Sequence, residues 1–184
     1  MKLNIGAGND IRNGWINHDI ADLEGIDVVH DLNKFPWPFE DEQFAEIVAN
    51  DVLEHLNELI PAMEELHRIL KSNGVLHIKV PYWNSWGFHA DPTHKLSFHE
   101  MTFTFFDPDK PYCIERPYYS NARFHIVEEC FYLAPFSPYF LIPWVGLIKV
   151  RNRFFRRIVG FLGNLFSNII LDLSVTLEKC ENKK

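Results

Sequence analysis

Through the first eighty residues, short apolar runs alternate with polar turns. "KLNIG" reads as a strand closing on glycine, and "WINHDI", "IDVVHDL" and "AEIVAND" as three more. "GVLHIKVP" is a fifth, stopped by Pro81. Each is rich in Ile, Val and Leu, the composition of strands covered on both faces. Between the fourth and fifth runs lies "NELIPAMEELHRILKSNG", where Leu59, Met63, Leu66 and Leu70 recur at helical spacing and Ile60 and Ile69 widen the stripe. Asn57 is the expected N-cap, and Asn73-Gly74 the expected left-handed stop. Strand, helix and strand in succession predict a parallel βαβ unit. The first crossover is too short for a full helix, because about ten residues separate Gly8 from Asp19. A single turn or an irregular link is expected there.

After Pro81 the texture changes. Residues 82–123 are rich in aromatics, histidines and prolines, with one short helix expected near "SFHEMTFTFF". Long irregular segments inside compact domains are usually functional. "RFHIVEECFYLA" and "NIILDLSVTLEKC" then read as two closing strands. Together the elements predict one α/β domain with a Rossmann-like, mostly parallel sheet. Its parts are a ligand-binding core over 1–81, an acceptor or lid insertion over 82–123, and closing strands over 124–184 with a basic amphipathic helical insertion at about 139–167.

Composition narrows the function. The chain has 184 residues, suited to a single core, and 47% of them are apolar, which excludes disorder. A net charge of -7 argues against nucleic-acid partners. Cys113, Cys130 and Cys180 form no CxxC pair or disulfide framework. No apolar run is long enough to span a bilayer, and Asp10, Arg12 and Asp19 interrupt any signal-peptide pattern. A cytoplasmic location is expected.

The candidate chemistry lies at strand ends. Gly6, Ala7 and Gly8 form a bare turn that lets backbone approach a ligand closely. Asp10 stands where a dinucleotide fingerprint has its third glycine, and an acid there would repel a pyrophosphate. That disfavours a nucleotide-dependent oxidoreductase. Asp19, Asp31, and Asn50 with Asp51 close the second, third and fourth runs. Each alone reads as a cap or turn former. Jointly, at the carboxyl ends of parallel strands, they point to one ligand site.

"LNIGAGN", "HDLNKFPWPFEDEQFAEIVANDVLEHL" and "MEELHRILKSNGVLHIKVP" closely resemble class I S-adenosylmethionine-dependent methyltransferases over residues 2–81. The resemblance is nearest to a small group associated with sugar and cell-surface glycan biosynthesis, for which "HADPTHKLSF" looks like a further signature. It implies a seven-strand sheet with an antiparallel edge strand, and S-adenosyl-L-methionine as cofactor. It implies that Gly6, Ala7 and Gly8 lie against the methionine part and that Asp19 holds the ribose hydroxyls. Asp31 and Leu32 would meet the adenine, while Asn50 and Asp51, with Glu54 and His55 nearby, would line the methyl-donor pocket. The acceptor it implies is a small molecule, a sugar or glycan precursor, methylated on oxygen or nitrogen.

Methyl transfer needs an aligned acceptor and, for a hydroxyl, an outlet for its proton. In "HADPTHKLSFHE", His89, Asp91 and His94 fall within six residues, and the Asp91-Pro92 turn brings the imidazoles together with Asp91 orienting one. One of these histidines is the preferred base. The plainer reading is that they cap a helix and tie the loop down. Their spacing matches no strong metal signature, so no metal is expected. Trp83, Trp86, Phe88, Tyr118 and Tyr119 would stack on a sugar ring or fill a lid.

Between Glu129 and Asp172 there is no acid, yet Lys149, Arg151, Arg153, Arg156 and Arg157 sit among Trp, Phe, Leu and Ile. From Val145 to Phe166 this reads as a basic amphipathic helix for an anionic membrane surface. The alternatives are a helix packed on the sheet or one covering the partner in a homodimer. The competing class of function is a non-catalytic membrane-surface or partner-binding protein that keeps the fold.

Overall fold

In the computed structural model, residues 1–133 and 147–180 are described. Eight strands among them form one sheet: β1 (Lys2–Ile5), β2 (Ile16–Asp19), β3 (Val28–Val29), β4 (Phe44–Asn50), β5 (Leu70–Pro81), β6 (Phe124–Leu133), β7 (Ile148–Val150) and β8 (Asp172–Lys179). Their order is β3-β2-β1-β4-β5-β8-β6-β7. The first five are parallel, and β8 runs antiparallel to both β5 and β6. The two closing strands are therefore neighbours, as expected. The eighth strand, β7, pairs antiparallel with β6 at the edge.

Leu3, Ile5, Ile47, Ala49, Leu76 and Ile78 are fully buried, as their composition requires. α1 (Leu59–Ile69) covers the sheet with Ala62, Met63, Leu66 and Ile69. Each of the larger side chains contributes about 1.5–3 kcal/mol by leaving water. The helix ends differ from expectation. Glu58, not Asn57, is the N-cap, and Asn57 Oδ1 instead accepts from Lys95 Nζ at 2.9 Å. The helix stops at Ile69, and β5 takes over at Leu70 through pairing with Phe44. Asn73 does adopt the left-handed conformation, but inside β5, at the irregularity between Phe44 and Glu46.

The short first crossover has no helix, and two buried asparagines take its place. Asn4 Nδ2 donates to the Asp10 carbonyl (2.7 Å) and to Asn17 Oδ1 (3.2 Å). Asn17 Oδ1 accepts from Arg12 N (3.0 Å), and its Nδ2 returns a bond to the Arg12 carbonyl (3.2 Å). Side chains on β1 and β2 thus satisfy backbone groups that a helix would have paired internally.

After β5 come α2 (Trp86–Ala90), a 3-10 turn at Thr102–Phe105 and α3 (Pro111–Glu115). The basic segment differs from a single helix over Val145–Phe166. β7 comes first, then α4 (Arg153–Leu165), capped by Asn152 Oδ1 accepting from Phe154 N at 3.0 Å. Residues 134–146, which include Val145 and the start of the expected 139–167 insertion, lie outside the described residues. α4 is inside out. Gly160 and Gly163 face the protein, whereas Phe154, Phe155, Phe161 and Leu165 are each more than half exposed. Arg156 anchors it by pairing with Glu129.

Candidate functional site

A cleft of about 510 Å³ opens at the carboxyl ends of the parallel strands. That size suits a small-molecule ligand. Its floor is the β1–β2 edge. Gly6 turns there with φ +63°, and its bare α-carbon faces Val52. Asp19, at the end of β2, is fixed by two backbone groups: Gly8 N donates to Oδ2 (2.8 Å) and Ala21 N to Oδ1 (3.0 Å). His18 lies beside it. Its Nε2 donates to the His30 carbonyl (3.0 Å), which leaves Nδ1 as a buried lone pair with no partner. Burial lowers the pKa of this imidazole, so it is neutral. Asp31 forms the next wall. Backbone and side-chain bonds from Asn33 hold its carboxyl below the usual range.

The far wall combines a 3-10 turn at Leu53–His55, just after β4, with the loop beyond α2. Lys95 N and Leu96 N both donate to the Glu54 carbonyl, at 2.7 and 3.0 Å, and pin the loop to the turn. His94 Nδ1 then donates to the Phe88 carbonyl (2.9 Å). Thr93 Oγ1 donates to Asp91 Oδ1 (2.6 Å) and so must accept from His55 Nδ1 (2.9 Å). Both histidines therefore carry hydrogen on Nδ1. Their rings lie 4.7 Å apart. Beneath them Glu54 is fully buried, and neither carboxyl oxygen has a partner. Burial pushes its pKa up to about 8. His94 Nε2 is 4.0 Å from Glu54 Oε1 and 3.9 Å from Asp91 Oδ2. Asp51 pairs with Lys79 at 3.3 Å, and Lys79 also holds Asp172 at 3.0 Å.

Residues 3–78 match the family model described as a methyltransferase domain. The match runs along the parallel half of the sheet and marks that segment as a methyltransferase domain. No curated protein matches this methyltransferase by sequence. Its fold is similar to that of an S-adenosylmethionine-dependent methyltransferase from Archaeoglobus fulgidus, at 18% identity, TM-score 0.61, covering 97% of this chain and 85% of that one. It is also similar to a Thermotoga maritima protein described as a possible histamine N-methyltransferase (13% identity, TM-score 0.63, 98% and 81% covered). The YcgJ protein of Bacillus subtilis is a third likeness (15% identity, TM-score 0.58, 98% and 92% covered).

The cofactor of such a domain is S-adenosylmethionine, and the cleft fits it. Gly6, which lines the cleft, brings backbone to its surface with no side chain in the way. Asp19 is held rigid with lone pairs to spare, and the orphaned His18 Nδ1 requires a donor from whatever fills the cleft. Of the residues expected from sequence, Gly6, Asp19, Asp31, Leu32, Asp51 and His55 line the cleft. Ala7 and Gly8 stand behind Asp19 rather than in the lining, and Asn50 ends β4 outside it. Asp91 and His94 lie near each other, but the expected pairing of His89 with His94 does not form. Asp91 acts on His55 through Thr93, however, while His94 is oriented by the Phe88 carbonyl. His89 is exposed at the end of α2 and does not join them. His18, Val52, Leu56, Thr93 and Lys95 also line the cleft and were not singled out from sequence. Thr93 and Lys95 lie within the "HADPTHK" signature, which was the available signal.

Proposed function

We propose that this methyltransferase modifies an oxygen or nitrogen of a small acceptor, a sugar or glycan precursor. The observation supporting this is the polar end of the cleft, where His55, Thr93, Lys95 and Asp51 gather beside the strand ends, with His94 packed against His55. Such a group suits a ligand rich in hydroxyl or amino groups. The cofactor supplies a methyl on a sulfonium, ready for in-line displacement. The chain supplies binding through Gly6, Asp19, His18 and Asp31, and acceptor alignment through His55, Thr93 and His94. Alignment alone is worth several powers of ten in rate. The test is calorimetry with S-adenosylhomocysteine, followed by labelled methyl transfer to a panel of sugar nucleotides and amines. One saturable site per chain is expected, and Asp19→Ala should weaken binding at least tenfold. Absence of binding by the unmodified chain overturns the proposal.

A second reading concerns where the acceptor is met. We propose that α4 rests on an anionic lipid surface, with Phe154, Phe155, Phe161 and Leu165 at the acyl boundary and Lys149, Arg151, Arg153 and Arg157 on headgroups. The outward apolar face and the absence of acids from 130 to 171 support it. Each cation near such a surface adds about 1 kcal/mol. Sedimentation with phosphatidylglycerol vesicles should carry the protein down, less so after Phe154→Ser with Phe161→Ser. Equal recovery of both forms, or self-association through this face as a homodimer, refutes it. If the protein were a binding module without turnover, Asp19→Ala would leave vesicle binding as the only retained property.

A further inference from the structure

Three groups able to ligate a metal converge beside the cleft. The Phe88 carbonyl and the Asp91–Thr93 pair engage Nδ1 of His94 and His55, which leaves Nε2 as the ligating nitrogen of each neutral ring. Glu54 sits under them with both oxygens buried and unpartnered. The donor atoms of Glu54, His55 and His94 lie within 4.8 Å of one another. A buried carboxyl with no partner beside two imidazoles is a polar group that a bound cation would satisfy. We infer that Glu54, His55 and His94 bind one divalent first-row transition cation.

The chemistry of the donors matches. Two imidazoles and one carboxylate are a recurrent set for such ions, with one or more coordination positions left open. Ligand bonds of about 2.0–2.2 Å put two ligand atoms roughly 3–4 Å apart, and His94 Nε2 to Glu54 Oε1 is 4.0 Å. Each histidine already has the outer hydrogen bond that metal-bound imidazoles use to hold tautomer and ring plane. The Asp107, Asp109 and His125 group also brings donor atoms together, but two of its three residues are exposed. Asp107 Oδ1 and Oδ2 there already accept from Asp109 N and Ile126 N. That group serves as the control.

The site deepens the methyltransferase reading and rests on it for its use. Of the three ligands His55 lines the cleft, so an acceptor hydroxyl bound there would lie beside the cation. A hydroxyl so held gives its proton to water more readily. Its oxygen pair then forms the new carbon–oxygen bond as the carbon–sulfur pair returns to sulfur. His94 acts here as a ligand, in place of the base role expected from sequence.

Cobalt(II) titrated into the full chain after treatment with EDTA tests this without any cofactor. Visible d–d bands and calorimetry should report one ion per chain, displaced by Zn²⁺. His55→Ala, at a half-buried position, should weaken binding at least tenfold, as should His94→Ala and Glu54→Gln. His125→Ala should change nothing. Lack of a saturable single site, or His55→Ala binding like the unmodified chain, overturns the inference, even if the more buried variants fail to fold. A parallel titration with S-adenosylhomocysteine separates the two ideas. Binding of it without cobalt binding sinks the cation alone. Cobalt binding without it sinks the methyltransferase reading and leaves the cation site standing.

Discussion

Replacing Gly6 by alanine should damage this protein in a way that the same change at Gly8 does not. Both glycines are left-handed, with φ of +63° and +49°. An alanine in that region costs about 1–2 kcal/mol in backbone strain. The surroundings then part company. A Cβ on Gly6 would stand 2.0 Å from Val52 Cγ2, with Val52 Cβ and Cγ1 at 3.2 and 3.3 Å. Val52 is 7% exposed, so it has nowhere to retreat except into the cleft or the core. Forcing a methyl into such a contact adds about 1–3 kcal/mol. The total for Gly6→Ala is then about 2–5 kcal/mol, a large part of a typical stability of about 5–15 kcal/mol. A Cβ on Gly8 meets nothing within 4 Å, so only the strain remains. Urea unfolding followed by tryptophan fluorescence measures both. Adding Val52→Ala to Gly6→Ala removes the clash, and the double variant should recover at least about 1 kcal/mol relative to additivity. If Gly6→Ala unfolds within about 0.5 kcal/mol of the unmodified chain, the account of this turn is wrong.

Three further outcomes follow from the packing. Burial, with Lys179 and Arg123 nearby, lowers the His67 pKa from 6.5 to about 4, and its Nε2 has no partner. The unfolded chain therefore binds a proton that the folded chain refuses, and stability present above pH 6.5 is lost as pH falls. The loss is about 2 kcal/mol between pH 7 and 5, and His67→Gln should flatten that part of the urea-midpoint profile. Asn17→Ala strips the first crossover of its acceptor and donor. It should cost about 2–3 kcal/mol and weaken S-adenosylhomocysteine binding by calorimetry, because Asp19 is held by the same link. Tyr82 is fully buried, and its hydroxyl donates to Glu100 Oε2 at 2.6 Å. Tyr82→Phe should lower stability by about 1–2 kcal/mol, or roughly 3–6 °C in Tm by calorimetry.

The parallel half of the sheet was legible because each strand there is a continuous apolar run that only burial on both faces explains. Even so, β3 shrank to Val28–Val29, since "IDVVHDL" has polar neighbours that hydrogen-bond elsewhere, such as Asp27 Oδ2 to Asn17 N. The stop of α1 was misread at Asn73 because Phe44, far away in sequence, pairs with Leu70 and claims it for the sheet. Within the cleft, Asp19 and Asp31 were visible as acids at strand ends, a purely local signal. His18 was not, because a histidine inside a strand looks like any core residue until its second nitrogen proves unsatisfied. Glu54 was placed near the pocket, but no local pattern reveals that "LEHL" buries its acid completely. That follows from the return of Lys95 and Leu96 onto its carbonyl.

The two glycines of α4 give that helix a single azimuth. A methyl on Gly163 would meet Ile170 Cδ1 at 2.7 Å, and one on Gly160 would meet Glu100 Oε1 at 3.2 Å. Rolling the cylinder by a third of a turn would drive a phenylalanine ring where not even a methyl fits. With the azimuth fixed in this way, Phe154, Phe155, Phe161 and Leu165 stay turned outward whatever solvent surrounds the helix.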